Sequence, residues 1–178
     1  MIFAAVTLLI VLTVLGKRCV RVNREAVSFF EETVPDHGSG IIESMGNTAM
    51  PVMEINGRAY TAILEAPAHG VKIAVTASWN RWTVNFAPCR LRGSLYDGTL
   101  MIGGTDDEGR FDFIPRTDVG ETVHVTDMRG VTYTFRVTSV VHTRSFEPEK
   151  AAEKDADLIL FAKDKKTRDT VIVYCNMP

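Results

Sequence analysis

The sequence predicts a mainly β protein, a barrel or sandwich of about eight short strands with one or two short helices, preceded by an N-terminal apolar helix. Three observations carry this. From residue 51 the hydrophobic pattern runs in short, often alternating stretches broken by turn residues. Residues 1–15 form an unbroken apolar run apart from two threonines. At 178 residues the chain is long enough for one domain with a core of its own and leaves little room for a second. Its 46% hydrophobic content excludes a disordered chain. Three scattered cysteines, Cys19, Cys89 and Cys175, exclude a disulfide-dense scaffold and a four-thiolate zinc site. A net charge of −2 gives no global case for nucleic acid, which is not expected as a partner.

The apolar run, MIFAAVTLLIVLTVL, is shorter than the roughly 20 residues of a full span and longer than the ~10–14 of a signal core. Lys17, Arg18, Arg21 and Arg24 follow it with no acid before Glu25, which leaves 16 bases against 22 acids in the rest of the chain. A cleaved signal normally begins with its charges, so a membrane anchor over residues 1–16 is expected. The positive-inside rule would hold this collar in the cytoplasm with the N-terminus outside; basic residues upstream would change that. Residues 17–50 read as an amphipathic helix and linker. Val22, Ala26, Phe30 and Val34 form one apolar stripe, Pro35 should stop the helix, and 36–40 is a loop by composition.

In the body, 51–178, strands are expected at 59–64, 71–76, 84–86, 99–103, 121–126, 132–141, 157–161 and 170–175. Asp127-Met128-Arg129-Gly130 is a turn with Gly130 at positive φ. The Glu/Lys/Ala-rich stretch 146–154 suits a short helix.

Segments spread in order over residues 50–176 together resemble the sortases, the membrane-anchored cysteine transpeptidases of Gram-positive bacteria, and most of all their class B-like forms. They include Met50-Pro51-Val52-Met53-Glu54-Ile55, Ile63-Leu64-Glu65-Ala66-Pro67, Ala87-Pro88-Cys89-Arg90, Leu100-Met101-Ile102-Gly103-Gly104, Asp157-Leu158-Ile159-Leu160-Phe161 and 171–175. The resemblance implies a closed sortase-type barrel of eight strands with the active groove on its wall. It also implies a single-pass protein of the cell membrane with its domain on the extracellular face.

Sortase chemistry needs a thiolate nucleophile, a histidine acid/base and an arginine near the oxyanion. By the resemblance, the histidine position after Gly104 holds Thr105, and the cysteine position holds Lys163, preceded by Ala162. The arginine position holds Thr170 on the ungapped register, or Arg168 if the loop before it is shorter. Thr105 has no pKa with which to shuttle protons near neutrality. Lys163 is ordinarily an ammonium, a point charge with three donors. No catalytic residue of the family is intact, so the expectation is an inactive homologue. It would bind a sorting-signal peptide, a surface-protein partner or an active sortase, with Arg168, Lys163, Thr105 and Ala162 as binding residues. The alternative is a divergent active enzyme with a relocated nucleophile, such as Cys89 beside Arg90, or a desolvated Lys163. Neither cofactor nor metal is expected.

The remaining groups have plainer readings. Cys89 and Cys175 read as buried thiols, although outside the cell a disulfide between them is permitted. Cys19 at the membrane edge could be acylated but reads as inert. His124 and His142 fall on strands among polar positions, and His37 and His69 in loops, without metal-ligand spacing. Asp106-Asp107-Glu108 with Asp112 is an acidic loop that lacks calcium-loop spacing. Lys163, Lys165, Lys166 and Arg168 form a basic loop suited to a carboxylate-bearing peptide. Trp79, Trp82 and Phe86 read as core and rim.

Overall fold

The computed structural model describes residues 2–38, 40, 49–106, 111–164 and 166–178, with side chains from Lys17 onward except Cys19. Helix α1 runs Ile2–Thr33. It stops two residues short of Pro35, whose ring disfavours helical backbone at the residue before it. The strands are β1 Met53–Ile55, β2 Arg58–Ala66, β3 Val71–Thr76, β4 Cys89–Arg92, β5 Leu100–Thr105, β6 Thr122–Asp127, β7 Thr132–Thr143, β8 Leu158–Lys163 and β9 Thr170–Asn176, with α2 at Pro148–Ala152.

The sheet order is β1-β2-β3-β4-β5-β8-β9-β7-β6, and β6 returns to pair with β2. Ala62 to Glu65 on β2 face Asp127 to His124 on β6, which closes a barrel of eight strands. The ninth, β1, is a short strand on the first residues of β2, with Met53 opposite Tyr60. The expected closed barrel of about eight strands is therefore present. Strict alternation on β6, where Val123, Val125 and Asp127 are buried and their neighbours are not, supplies the inward face.

The interior is filled by Leu64, Val75, Ile102, Phe135, Leu160 and Val173 among others. Phe111, Phe113 and Ile114, from the connection between β5 and β6, join that core fully buried. Gly104 makes room for them, since a Cβ there would come within 2.7 Å of the Phe111 ring.

Helix α1 packs on the outer face of β1 to β3 through Ala26, Val27 and Phe30, against Ile55, Tyr60, Ile63 and Ala74. Asn23 completes this contact. Its amide nitrogen donates to the Ala74 carbonyl at 3.2 Å, and its oxygen accepts from the Ala74 N–H at 3.1 Å. On that side β3 meets β4 only at Thr76 opposite Cys89, so the Asn23 amide stands where a neighbouring strand would. Eight residues along α1, Glu31 pairs with Lys72 at 2.7 Å. Asn23 against Ala74 and Glu31 against Lys72 make the helix and β3 run in opposite directions.

The structure changes three elements of the expected reading. Residues 84–86 are not a strand; Thr83–Asn85 forms a 3₁₀ turn, because the Asn80 side chain accepts from the Trp82 N–H and bends the chain into a helical turn. Strands β1 and β4 were not expected from the pattern. The expected linker is fastened where it is described: Gly40 N–H donates to the Thr132 carbonyl at 2.7 Å and Thr132 N–H to the Gly38 carbonyl at 2.9 Å. Residues 39 and 41–48 lie outside the described residues.

Candidate active groove on the barrel wall

Strands β5, β8 and β9 lie side by side. Thr105 is the register partner of Lys163 across the parallel β5–β8 pair, and Lys163 is the partner of Thr170 across the antiparallel β8–β9 pair. Their three positions therefore form one row, about 5 Å apart from strand to strand. Side-chain alternation puts all three on the outer face. Leu158, Leu160 and Ala162 belong to the interior cluster, whereas Ile159 and Phe161 belong to a separate cluster outside. Ala162 thus points into the barrel core, away from this row, which is a correction to its expected place among binding residues.

At the row itself, Lys163 is exposed, and the Thr105 hydroxyl donates to the Val84 carbonyl at 3.5 Å. The next positions inward along the same face are Gly103 and Phe161. Phe161 is buried between two rings, with Phe146 stacked at 4.3 Å and Trp79 at 5.7 Å. A Cβ on Gly103 would lie 2.2 Å from the Phe161 ring, so only glycine admits it. Met101, Ile159, Ile172 and Tyr174 continue the outer wall as buried residues, with Ala151 of α2 in the same cluster. The wall below the row is covered by the chain's own side chains.

The turn between β8 and β9 is organised by Asp164. Its carboxylate accepts from the Lys166 N–H at 2.7 Å and the Thr167 hydroxyl at 3.0 Å, and the Arg168 N–H donates to its carbonyl at 2.9 Å. The Lys166 N–H first, then the Thr167 hydroxyl, hold the Asp164 carboxyl below the usual carboxylate range. Arg168 sits in this turn at φ 65°, exposed. It lies on the turn, outside the strand row, which Thr170 occupies. Lys165 lies outside the described residues.

Of the two described thiols, Cys89 stands opposite Gly103 on the strand beside β5, two residues from Thr105, and Cys175 lies in the interior. Cys89 is fully buried and donates to the Ala87 carbonyl at 3.4 Å, and burial raises its pKa. Cys175 belongs to the interior cluster, its pKa pushed up to about 12 by burial. Both are free. The permitted disulfide does not form: along the wall, β5 and β8 separate β4 from β9, about 14 Å at ordinary strand spacing, too far for a bridge.

Elsewhere, His69 pairs with Glu121 at 2.8 Å and leans on Phe113, and His124 hydrogen-bonds Thr134 at 3.0 Å. Asp112 is tied to Arg116 at 2.9 Å, and Asp107 and Glu108 lie outside the described residues. Among the described residues, no group of three or more His, Cys, Asp or Glu is placed to hold a metal ion. The sequence reading missed a buried cluster at Asp127, which accepts from the Tyr96 hydroxyl at 2.6 Å and from Arg129 Nη2 at 3.0 Å. Its only signal was the turn sequence itself.

The fold matches solved structures. The lid mutant of Corynebacterium diphtheriae sortase A superposes with a TM-score of 0.58 at 14% identity, over 68% of this chain and 71% of that one. Listeria monocytogenes sortase A gives 0.56 at 18%, over 67% and 87%. Streptococcus agalactiae sortase C1 in complex with MTSET gives 0.56 at 13%, over 67% and 69%. The chain has the sortase fold. No family model and no curated protein matches it. The sortase structures named here are of classes A and C, so the class B-like likeness rests on the sequence alone. In the sortase fold of this chain, the three positions singled out by the resemblance are neighbours in space.

Proposed function

We propose that this chain is a membrane-anchored, sortase-fold binding protein that does not form an acyl-enzyme. The observation that supports it is the row Thr105–Lys163–Thr170, which offers two hydroxyls and an ammonium where the resemblance puts an imidazole, a thiol and a guanidinium. Cys175 lies in the interior, and Cys89, one strand from the row opposite Gly103, is fully buried; burial raises the pKa of both thiols and favours their protonated forms. Lys163, Lys166 and Arg168 give the rim of this wall a positive charge suited to the carboxylates of a sorting-signal peptide or of a surface partner. The apolar run of residues 1–15 serves as the anchor, and the resemblance puts the barrel on the extracellular face, opposite to what the positive-inside rule gives for the collar. Among the described residues no helix is long and apolar enough to cross a membrane, and the side chains of that run lie outside them.

The test is intact mass of the protein after incubation with a sorting-signal peptide and an amine nucleophile, alongside fluorescence anisotropy of the labelled peptide. The expected result is an unchanged mass, an uncleaved peptide, and binding that weakens with salt and with Lys163→Glu. A covalent adduct or a cleaved peptide would establish the alternative, an active enzyme with a relocated nucleophile. Neither binding nor turnover would overturn the peptide-binding reading.

A further inference from the structure

We propose that the turn joining β8 to β9 holds an acidic side chain of the bound peptide, and that Arg168 is the residue that selects it. This deepens the peptide-binding reading above and rests on it. The site lies past the strand row, on the turn itself, since the register position in the row belongs to Thr170. Arg168 stands in a backbone conformation that its own side chain opposes. At φ 65° an L residue brings its Cβ against the carbonyl that follows, so glycine is the ordinary occupant. Asn56 shares the left-handed region, but asparagine tolerates it through its short polar side chain. Arginine has no such relief. The turn is shaped by backbone bonds: Arg168 N–H donates to the Asp164 carbonyl at 2.9 Å, and Asp164 N–H to the Asp169 carbonyl at 2.8 Å. Glycine at this position would make the same bonds without the crowding. What arginine adds is its guanidinium, exposed and without a hydrogen bond or ion pair among the described residues. Backbone strain of this kind collects at ligand-binding sites.

The charges around Arg168 leave the turn open to an anion. Residues 164–169 include two acids, and both are engaged. The Asp164 carboxylate accepts from the Lys166 N–H and the Thr167 hydroxyl, and Asp169 faces Arg144 at 3.7 Å. Among the described residues, Lys163, Lys166 and Arg168 have no acid within ion-pair distance. A guanidinium meets a carboxylate with two parallel N–H···O bonds, whereas the two ammoniums attract it as point charges. Arg168 therefore supplies the selection, and Lys163 and Lys166 the general attraction.

The experiment is fluorescence anisotropy of two labelled, amidated sorting-signal peptides, one carrying a single glutamate and the other glutamine in its place, on the full chain in detergent and on Arg168→Gly. The native chain is expected to hold the glutamate peptide about tenfold more tightly, the scale of one charge-assisted pair, and Arg168→Gly to bind both alike. Arg168→Lys should keep only part of the preference. Because glycine relieves the crowding, the urea midpoint of Arg168→Gly should rise while its selectivity is lost, a combination that a merely structural arginine does not give. A native chain that binds both peptides alike, an Arg168→Gly chain that still prefers glutamate, or a fall in its urea midpoint overturns this assignment and leaves the peptide-binding reading standing. A native chain that binds neither peptide overturns that reading itself.

Discussion

A single exchange at position 163 changes what the barrel wall can do. A cysteine there would stand one strand from Thr105 and one from Thr170, with no imidazole to take its proton and no guanidinium to meet a developing oxyanion. Directly inward along the strand, Phe161 fills the space between Trp79 and Phe146. The double variant Lys163→Cys with Thr105→His is therefore expected to gain a thiol that reacts with a methanethiosulfonate reagent and no measurable transpeptidation by peptide mass spectrometry. Turnover that persists when Arg168→Ala is added would sink this account of the row. The positions of the row were legible in the sequence because each bounds a recognisable hydrophobic strand: Thr105 and Lys163 end β5 and β8, and Thr170 opens β9. The covering of Phe161 was not, because it joins residues 79, 146 and 161, which no local pattern connects.

Among the elements, helix α1 holds the barrel through one polar residue on an apolar face. Replacing Asn23 with Leu would leave the N–H and C=O of Ala74 unpaired under the helix. The expected loss is about 2 kcal/mol or more, read as a lower urea midpoint with an unchanged slope. A loss confined to a few tenths would mean that water replaces the amide. The apolar stripe of this helix could be read directly from Val22, Ala26, Phe30 and Val34, and Ala26 and Phe30 are buried. That Asn23 shares the buried face could not, since an isolated asparagine among charged residues reads as solvent-facing. The long strands were legible for a similar reason: β6 and β7 alternate over several residues. Thr83–Asn85 misled because Trp82, Val84 and Phe86 alternate like a strand, while the side-chain bond from Asn80 decides in favour of a turn. The Cys89–Arg92 strand is too short and too basic to stand out, and it exists because Thr76 and Gly103 flank Cys89.

Across the whole molecule, the groups that burial perturbs most are acids held neutral. Burial first, then the hydrogen bond to Asp127, raises the Tyr96 pKa well above the ordinary tyrosine range, and burial alone takes Cys175 to about 12. Both folded values exceed the unfolded ones, roughly 10 for tyrosine and 8.5 for cysteine. The stability they contribute is thus complete below about pH 8.5 and is lost as pH rises toward the folded values. Urea midpoints should fall steadily from pH 8.5 to 11, and the fall should be shallower in Cys175→Ala and in Tyr96→Phe. An identical slope in both variants would place the base sensitivity elsewhere.

The Asn23 amide has one more consequence, for solubility. With the helix removed, the outer edge of β3 at Ala74 offers an unpaired donor and acceptor, a template on which a second chain can add a strand. The helix is then both the tether of the domain and the guard of its open seam. A chain beginning at residue 49 should self-associate in size-exclusion chromatography at concentrations where one beginning at residue 17 runs as a monomer.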